Sequence, residues 1–189
     1  MEFKEKIGKW FLLATLICWN NYFYAQILED GERKGLVQAT ASIYPSQQLN
    51  RSALNIYIGG NLNVFLDHKY SVRGDVYSFI STQGKKSYIS DNFQLQVGFM
   101  RFFPVKRLDP YVGLQVGLSV IQTTTRPESV YNALFALKAG LNYHVYHYFY
   151  FFVDMQYTHQ ADPWASGPFD QFMGTGGLGF QIPCKNVKQ

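Results

Sequence analysis

The sequence predicts an all-β fold, a transmembrane antiparallel up-and-down β-barrel of eight strands. Three observations predict it. The stretch DPYVGLQVGLSV, residues 109–120, sets Val112, Leu114, Val116, Leu118 and Val120 against Gly113, Gln115, Gly117 and Ser119. Such strict alternation is the signature of a strand with two unlike faces. Aromatic residues make up 17% of the 189 residues and charged residues only 16%, against roughly 25% charged in a soluble domain. With a mean hydropathy of −0.13, the apolar residues are diluted by an alternating polar set, as in membrane barrels. Lastly, the connections between strands alternate between a few residues and longer polar segments, as in a barrel with turns at one rim and loops at the other.

The chain opens MEFKEKIGKWFLLATLICWNNYFYAQ. Lys4, Lys6 and Lys9 form a basic region, Trp10 to Trp19 a short apolar one, and Ala25 a small residue before Gln26. That order predicts a secretory signal peptide over residues 1–25, cleaved after Ala25. A helical membrane anchor needs about 20 apolar residues, and this run is too short. Cys18 follows the bulky Ile17 and does not suit lipoprotein acylation. Loss of three lysines and two glutamates with the leader moves the formal charge from +4 to +3. No dense run of lysine and arginine points to nucleic acid. Cys184 is the one cysteine beyond the leader, which excludes an internal disulfide.

Within residues 26–189, a single barrel domain is expected, with strands inside about 35–182 and a short tail. The first strand, about 35–44, places Gln38, Thr40 and Ser42 opposite Val37, Ala39, Ala41 and Ile43, and the loop PSQQLNR follows. The second, about 52–64, sets Leu54, Ile56, Ile58, Leu62 and Val64 against Asn55, Tyr57, Gly59, Asn61 and Asn63. A turn at LDHK leads to the third, about 69–80, where Val72, Val76 and Ile80 oppose Ser71, Arg73, Asp75 and Tyr77. After the polar STQGKKSYIS, the fourth, about 91–103, opposes Phe93, Leu95, Val97 and Phe99 to Asn92, Gln94, Gln96 and Gly98.

The turn PVKR delivers the fifth strand, residues 109–120. After TTTRPES comes the sixth, about 132–145, with Phe135, Leu137, Ala139 and Leu141 against Ala136, Lys138, Gly140, Asn142 and His144. The segment PESVYNALFALKAG also carries a helix signal, with Pro before and Gly after an Ala/Leu run. Val130, Leu134, Leu137 and Leu141 also fit a helical stripe. The alternation nevertheless runs unbroken through Tyr143, so the strand is read from about Asn132. The sequence leaves open whether one or two helical turns precede it near residues 127–133. The seventh strand, about 148–159, opposes Phe149, Phe151, Val153 and Met155 to Tyr150, Phe152, Asp154 and Gln156. The loop ADPWASGPFDQ precedes the eighth, about 172–182, with Leu178, Phe180 and Ile182 against Thr175, Gly177, Gly179 and Gln181.

Both a membrane barrel and a soluble lipocalin-like binding barrel alternate. In the soluble case the apolar face lines a pocket and the outside is charged. Here the polar face carries Gly, Asn, Gln, Ser and Thr with few charges, which suits a packed lumen, so the apolar face is expected to meet lipid. Aromatic belts at the headgroup levels are expected from Phe65, Tyr70, Phe102, Phe103, Tyr143, Tyr148 and Phe149 at the short-turn rim. Tyr44, Phe79, Tyr157, Trp164 and Phe172 would form the belt at the long-loop rim. Arg101 falls on the lipid side near a turn, where it can snorkel to headgroups.

The leader ending YFYAQ and the segments RFFPVKRLDPYVGLQVGLSV, LKAGLNYHVYHYFYFFVDMQY and GTGGLGFQIP resemble small eight-stranded outer-membrane barrels. The type is that of OmpX and the OmpA transmembrane domain, in its Bacteroidota-style form. The resemblance implies a Gram-negative cell envelope, insertion by the barrel-assembly machinery, and short turns and both termini on the periplasmic side. It implies contact with outer-membrane lipid and lipopolysaccharide. Such barrels often end on an aromatic residue, whereas Phe180 here is followed by QIPCKNVKQ.

Charges in a narrow lumen need partners, so Arg73, Asp75, Lys138 and Asp154 are expected to bridge one another, as a stiffening plug or as an ion gate. For catalysis the candidates fail. None of His68, His144, His147 and His159 has Ser two positions on, the pattern of barrel enzymes that modify lipid A. No catalytic residue, cofactor or metal site is expected. Lys85 and Lys86 are candidate contacts to lipopolysaccharide, and Trp164 and Phe169 to an extracellular partner, because long loops on a rigid scaffold carry binding. The expected role is structural or adhesin-like and non-catalytic, with a narrow, porin-like or transport-associated pore as the alternative.

Overall fold

A computed structural model describes residues 33–49, 53–83, 89–124, 126–146, 148–160 and 169–182. The predicted leader, Cys184 and His147 lie outside them. Eight strands follow in chain order: β1 (Val37–Gln48), β2 (Ala53–Phe65), β3 (Tyr70–Gln83), β4 (Ile89–Phe102), β5 (Leu108–Thr123), β6 (Arg126–Tyr146), β7 (Phe149–Gln160) and β8 (Gln171–Ile182). Each pairs antiparallel with its sequence neighbour, and β1 pairs with β8 to close the barrel. Closure leaves no free sheet edge, which is what a sheet in hydrocarbon requires.

The alternation read from the sequence decides the two faces. Gln38, Asn63, Asp75, Gln94, Gln96 and Gln115 are buried inside, while Phe99 is 65% exposed and Val116 60% exposed on the outer wall. An apolar wall encircling the molecule would be insoluble in water and matches a lipid-facing band. Inside, bulky side chains lie opposite glycines of the adjacent strand. Tyr77 pairs with Gly59, Met100 with Gly113, Tyr111 with Gly140, and Tyr150 with Gly179. A Cβ on Gly179 would stand 2.3 Å from Cζ of Tyr150; the missing side chain is the space the ring occupies.

Short connections are held locally. In the β2–β3 turn, Asp67 Oδ1 accepts from the backbone N–H groups of Lys69 and Tyr70, both at 2.7 Å, and these bonds hold its carboxyl below the usual carboxylate range. In the β4–β5 turn, Val105 and Leu108 exchange backbone hydrogen bonds of 2.8 and 3.0 Å. Lys106 adopts φ of 55° there, a left-handed conformation uncommon for a side chain with a Cβ.

Three expectations are corrected. β6 starts at Arg126 and continues as strand through residues 127–133, so the helical turns are absent there. Pairing of Val130, Tyr131 and Asn132 with Ile121, Val120 and Ser119 supplies the backbone bonds a helix would have made. The apparent helical stripe is split between faces, with Leu134 buried and Leu137 exposed. Likewise β1 runs on to Gln48, through the expected loop residues Pro45–Gln48. Finally, Tyr44, Phe65, Phe79 and Phe102 are no belt residues. Tyr44, Phe65 and Phe102 are at most 2% exposed inside the barrel, and Phe79 packs on the inner Tyr57 and Ile89 clusters, because strand phase and not height sets direction. Tyr70, Phe103, Tyr143, Tyr148 and Phe172 do stand outward.

The β1–β8 seam is distinct from the other ladders. Pairing runs from Val37↔Ile182 to Thr40↔Gly179 and resumes in the same register at Ser46↔Met173. Between them, side chains bridge the strands. The Thr175 hydroxyl donates to the Ile43 carbonyl at 2.8 Å and lies 2.8 Å from the Ser42 hydroxyl. Pro45, which has no N–H to give, sits where the ladder lapses.

Candidate functional site in the lumen

The four charges predicted on the inner face meet at mid-barrel. Arg73 and Asp75 project from β3, Lys138 from β6 and Asp154 from β7. Because β3 and β7 lie four strands apart in an eight-stranded closed sheet, their side chains reach each other across the lumen. Arg73 Nε lies 3.1 Å from Asp75 Oδ2 and its Nη2 also donates to Asp154. Lys138 Nζ lies 2.6 Å from Asp75 Oδ1 and 3.6 Å from Asp154 Oδ2. Two cations face two anions, so the cluster is neutral, and all four are at most 3% exposed.

Neutral groups complete this crossbar. Asp75 also accepts from Gln115 Nε2 at 2.5 Å, and Arg73 Nη1 donates to the Tyr111 hydroxyl at 2.9 Å. The Tyr77 hydroxyl accepts from Lys138 at 2.9 Å and lies 3.0 Å from both Asp75 Oδ1 and Gln156 Oε1. Gln156 Nε2 in turn donates to Gln96 Oε1 at 2.9 Å. Such partners make a buried ion cluster tolerable, and of the four carboxylate oxygens only Asp154 Oδ1 carries no hydrogen bond. Sequence reasoning placed Tyr77, Gln115 and Gln156 on the polar face without assigning them to the network. Their shared phase with the charges was the available signal.

The lumen is filled on either side. Toward the short turns, Phe65, Met100, Phe102 and Tyr111 pack together. Beside them Arg33 Nη1 holds Asp109 Oδ2 at 2.6 Å, with His144 Nε2 at 3.5 Å from the same oxygen. This second charged cluster escaped the sequence reading, since Arg33 precedes the first strand. Toward the long loops, Tyr44, Tyr57, Tyr77 and Met173 form one layer, and Ile89, Ile121 and Phe169 another above it. A void of about 10 Å³ lies between Gln38, Asn63, Arg73 and Tyr150, room for one water at most.

Phe169, expected as a partner contact, is instead 2% exposed and caps this inner stack; burial against Ile89 and Ile121 removes it from the surface. Lys85, Lys86 and Trp164 lie outside the described residues. His159 is on the outside at the long-loop rim, 2.6 Å from Asp170. Among the described residues no three His, Cys, Asp or Glu side chains converge as metal ligands.

No protein family matches the chain by sequence profile, and no curated protein sequence matches it. Its fold, however, is similar to that of solved outer-membrane barrels. The N-terminal β-barrel domain of Pseudomonas aeruginosa OprF superposes with a TM-score of 0.61 at 14% identity, over 80% of this chain and 99% of that one. Neisserial surface protein A gives 0.59 at 12%, over 79% and 96%. The outer membrane protein OprG from Pseudomonas aeruginosa gives 0.50 at 14%, over 79% and 93%. The likeness establishes the fold, an eight-stranded closed barrel of the small outer-membrane kind.

Proposed function

We propose that the chain is an integral outer-membrane barrel, exported through a cleaved leader, with a structural or surface-interaction role and neither conductance nor catalysis. One observation carries the reading: the crossbar of Arg73, Asp75, Lys138 and Asp154 spans the lumen from β3 to the opposite β7. An ion entering would have to displace charges already neutralised by one another, between aromatic layers that fill both mouths. Side chains sealed from solvent in this way are also poorly placed to meet a substrate. Interaction then falls to the long-loop rim, with Lys85 and Lys86 offered to lipopolysaccharide phosphates and Trp164 to an extracellular partner. The barrel-assembly machinery would be met during insertion.

Reconstitution in planar bilayers tests the reading. Silence is expected; steady unit conductance from the purified protein would overturn it in favour of a narrow pore. A parallel comparison of unboiled and boiled samples tests the placement, because a closed membrane barrel migrates differently until heated. The shifted species belongs in the outer-membrane fraction, and recovery from the soluble periplasm would overturn that placement.

A further inference from the structure

The outer wall is not uniformly convex. A hollow of about 680 Å³ runs across it from Tyr70 and Arg101 to Tyr157 and Phe172. One bank follows the register row Arg101, Val112, Ala139, Met155, and the other the row Phe99, Leu114, Leu137, Tyr157. The first bank dips at Ala139, where only a methyl group stands between larger neighbours. From β4 to β8 are four strand spacings of about 4.8 Å, roughly 19 Å in all, on the order of an extended fatty acyl chain. Since strands in such barrels tilt by about 35–45°, the row climbs obliquely. It leaves the short-turn rim beside Arg101, the penultimate residue of β4, and reaches the long-loop rim at Phe172, the second residue of β8.

Its lower end is charged. Arg101 is exposed on the lipid side, with its guanidinium carbon 5.2 Å from the centre of the Phe103 ring and 5.9 Å from that of Tyr70. No carboxylate among the described residues pairs with it, unlike Arg33, Arg73 and Lys138. A cation at the edge of hydrocarbon needs an anion or water. Lys34, Lys69 and Lys106 are exposed at the same rim and outnumber the Asp67 carboxylate of the β2–β3 turn, whereas Asp91 and Glu128 are exposed at the other. The field at the groove's entrance therefore favours a negative headgroup.

We propose that this groove is a binding site for one anionic phospholipid of the leaflet at the short-turn end, with its phosphate on Arg101 and an acyl chain along the hollow. The aromatic rings of Tyr70 and Phe103 hold the guanidinium at headgroup height. Lipopolysaccharide, in the opposite leaflet, would carry its phosphates to the long-loop rim, out of reach of Arg101. The inference rests on the outer wall meeting lipid and is independent of whether the lumen conducts, which the bilayer recording reads separately.

Native mass spectrometry of the folded barrel with equimolar phosphatidylglycerol and phosphatidylcholine of identical chains tests it. Wild type is expected to retain phosphatidylglycerol about fivefold over phosphatidylcholine, the factor for one cation at an anionic headgroup. Arg101→Gln should bring that ratio to about one, while Lys106→Gln at the same rim leaves it near the wild-type value. Ala139→Leu, which fills the dip in that bank, should lower retention of both lipids and keep their ratio. Heat-modifiable mobility establishes that each variant is folded. A wild-type ratio near one, a ratio surviving Arg101→Gln, or an equal loss with Lys106→Gln would overturn the site, as would unchanged retention in Ala139→Leu. Displacement of phosphatidylglycerol by equimolar lipid A, with the same dependence on Arg101, would overturn the choice of phospholipid.

Discussion

Replacing Lys138 by Met tests the crossbar most directly. The side chains are similar in length, so the change removes a charge and its donors while leaving the volume nearly filled. Wild-type Lys138 Nζ contributes contacts of 2.6 Å to Asp75, 2.9 Å to Tyr77 and 3.6 Å to Asp154. Without them Arg73 alone faces two buried carboxylates, and the cluster carries a net negative charge where water cannot compensate it. Removing one partner of a buried ion network costs about 3–5 kcal/mol, and that is the expected loss in Lys138→Met. Adding Asp75→Asn returns the cluster to neutrality, with Arg73 on Asp154, so the double variant should cost about 1–3 kcal/mol less than the sum of the singles. The assay is urea unfolding in lipid vesicles, read by the fraction that keeps unboiled mobility. Fluorescence of Trp164, the one tryptophan beyond the predicted leader, gives a second reading. A Lys138→Met protein equal to wild type in both stability and bilayer conductance would refute the reasoning, since the network would then neither stiffen nor gate.

The β1–β8 seam should be the weakest ladder, because side chains bridge what backbone pairs close elsewhere. Ser42→Ala with Thr175→Val removes the bridge to the Ile43 carbonyl and between the hydroxyls, an expected loss of about 1–3 kcal/mol for two hydrogen bonds. A drop in the temperature of the gel-mobility transition checks it, and an unshifted transition would deny the seam any dependence on these hydroxyls. Gly179→Val pushes a Cβ to 2.3 Å from the Tyr150 ring, an overpacking expected to cost about 1–3 kcal/mol. Tyr150→Ala in the same chain should recover part of the loss in urea unfolding. If the single variant unfolds like wild type, the ring does not depend on that glycine.

Much of this was legible because the side-chain period of a strand is two. Once Gly113, Gln115 and Gly117 were set opposite Val112, Leu114 and Val116, the face of every other inward residue on β5 followed, and pairing carried the phase to its neighbours. The meeting of Arg73, Asp75, Lys138 and Asp154 was legible for the same reason: four charges on one narrow inner face have only each other. The aromatics at strand ends were less so. Tyr44, Phe65 and Phe102 have the composition of a headgroup belt, and only their phase, inward by two from Ser42, Asn63 and Met100, separates them from Tyr70 or Phe103. The extension of β6 was illegible for another reason. Residues 127–133 carry local helix preference, and the cross-strand pairing with β5 that overrides it is not a property of the segment. The lapse in pairing at the β1–β8 seam likewise belongs to two strands far apart in sequence.

The two faces contribute differently to specifying this fold. Lipid tails are as apolar as leucine, so the outer residues gain nothing by choosing one strand neighbour over another. They fix the barrel's place in a bilayer and say little about register. Register has to come from backbone pairing and from the inner face, where a slip of one residue turns every side chain to the wrong side. Within the lumen Tyr77, Tyr111, Tyr150 and Phe152 each meet a glycine on the next strand, and each charge of the crossbar meets a counter-charge from another wall. A slip of the β5–β6 pair by two residues keeps the faces but sets the Tyr111 ring against Lys138 or Asn142, the inward residues on either side of Gly140, in place of Gly140. It would also carry Lys138 away from Asp75. The glycines, amides and paired charges that make the lumen look unremarkable in composition are therefore the part of the sequence that selects one barrel among the many its outer wall would accept.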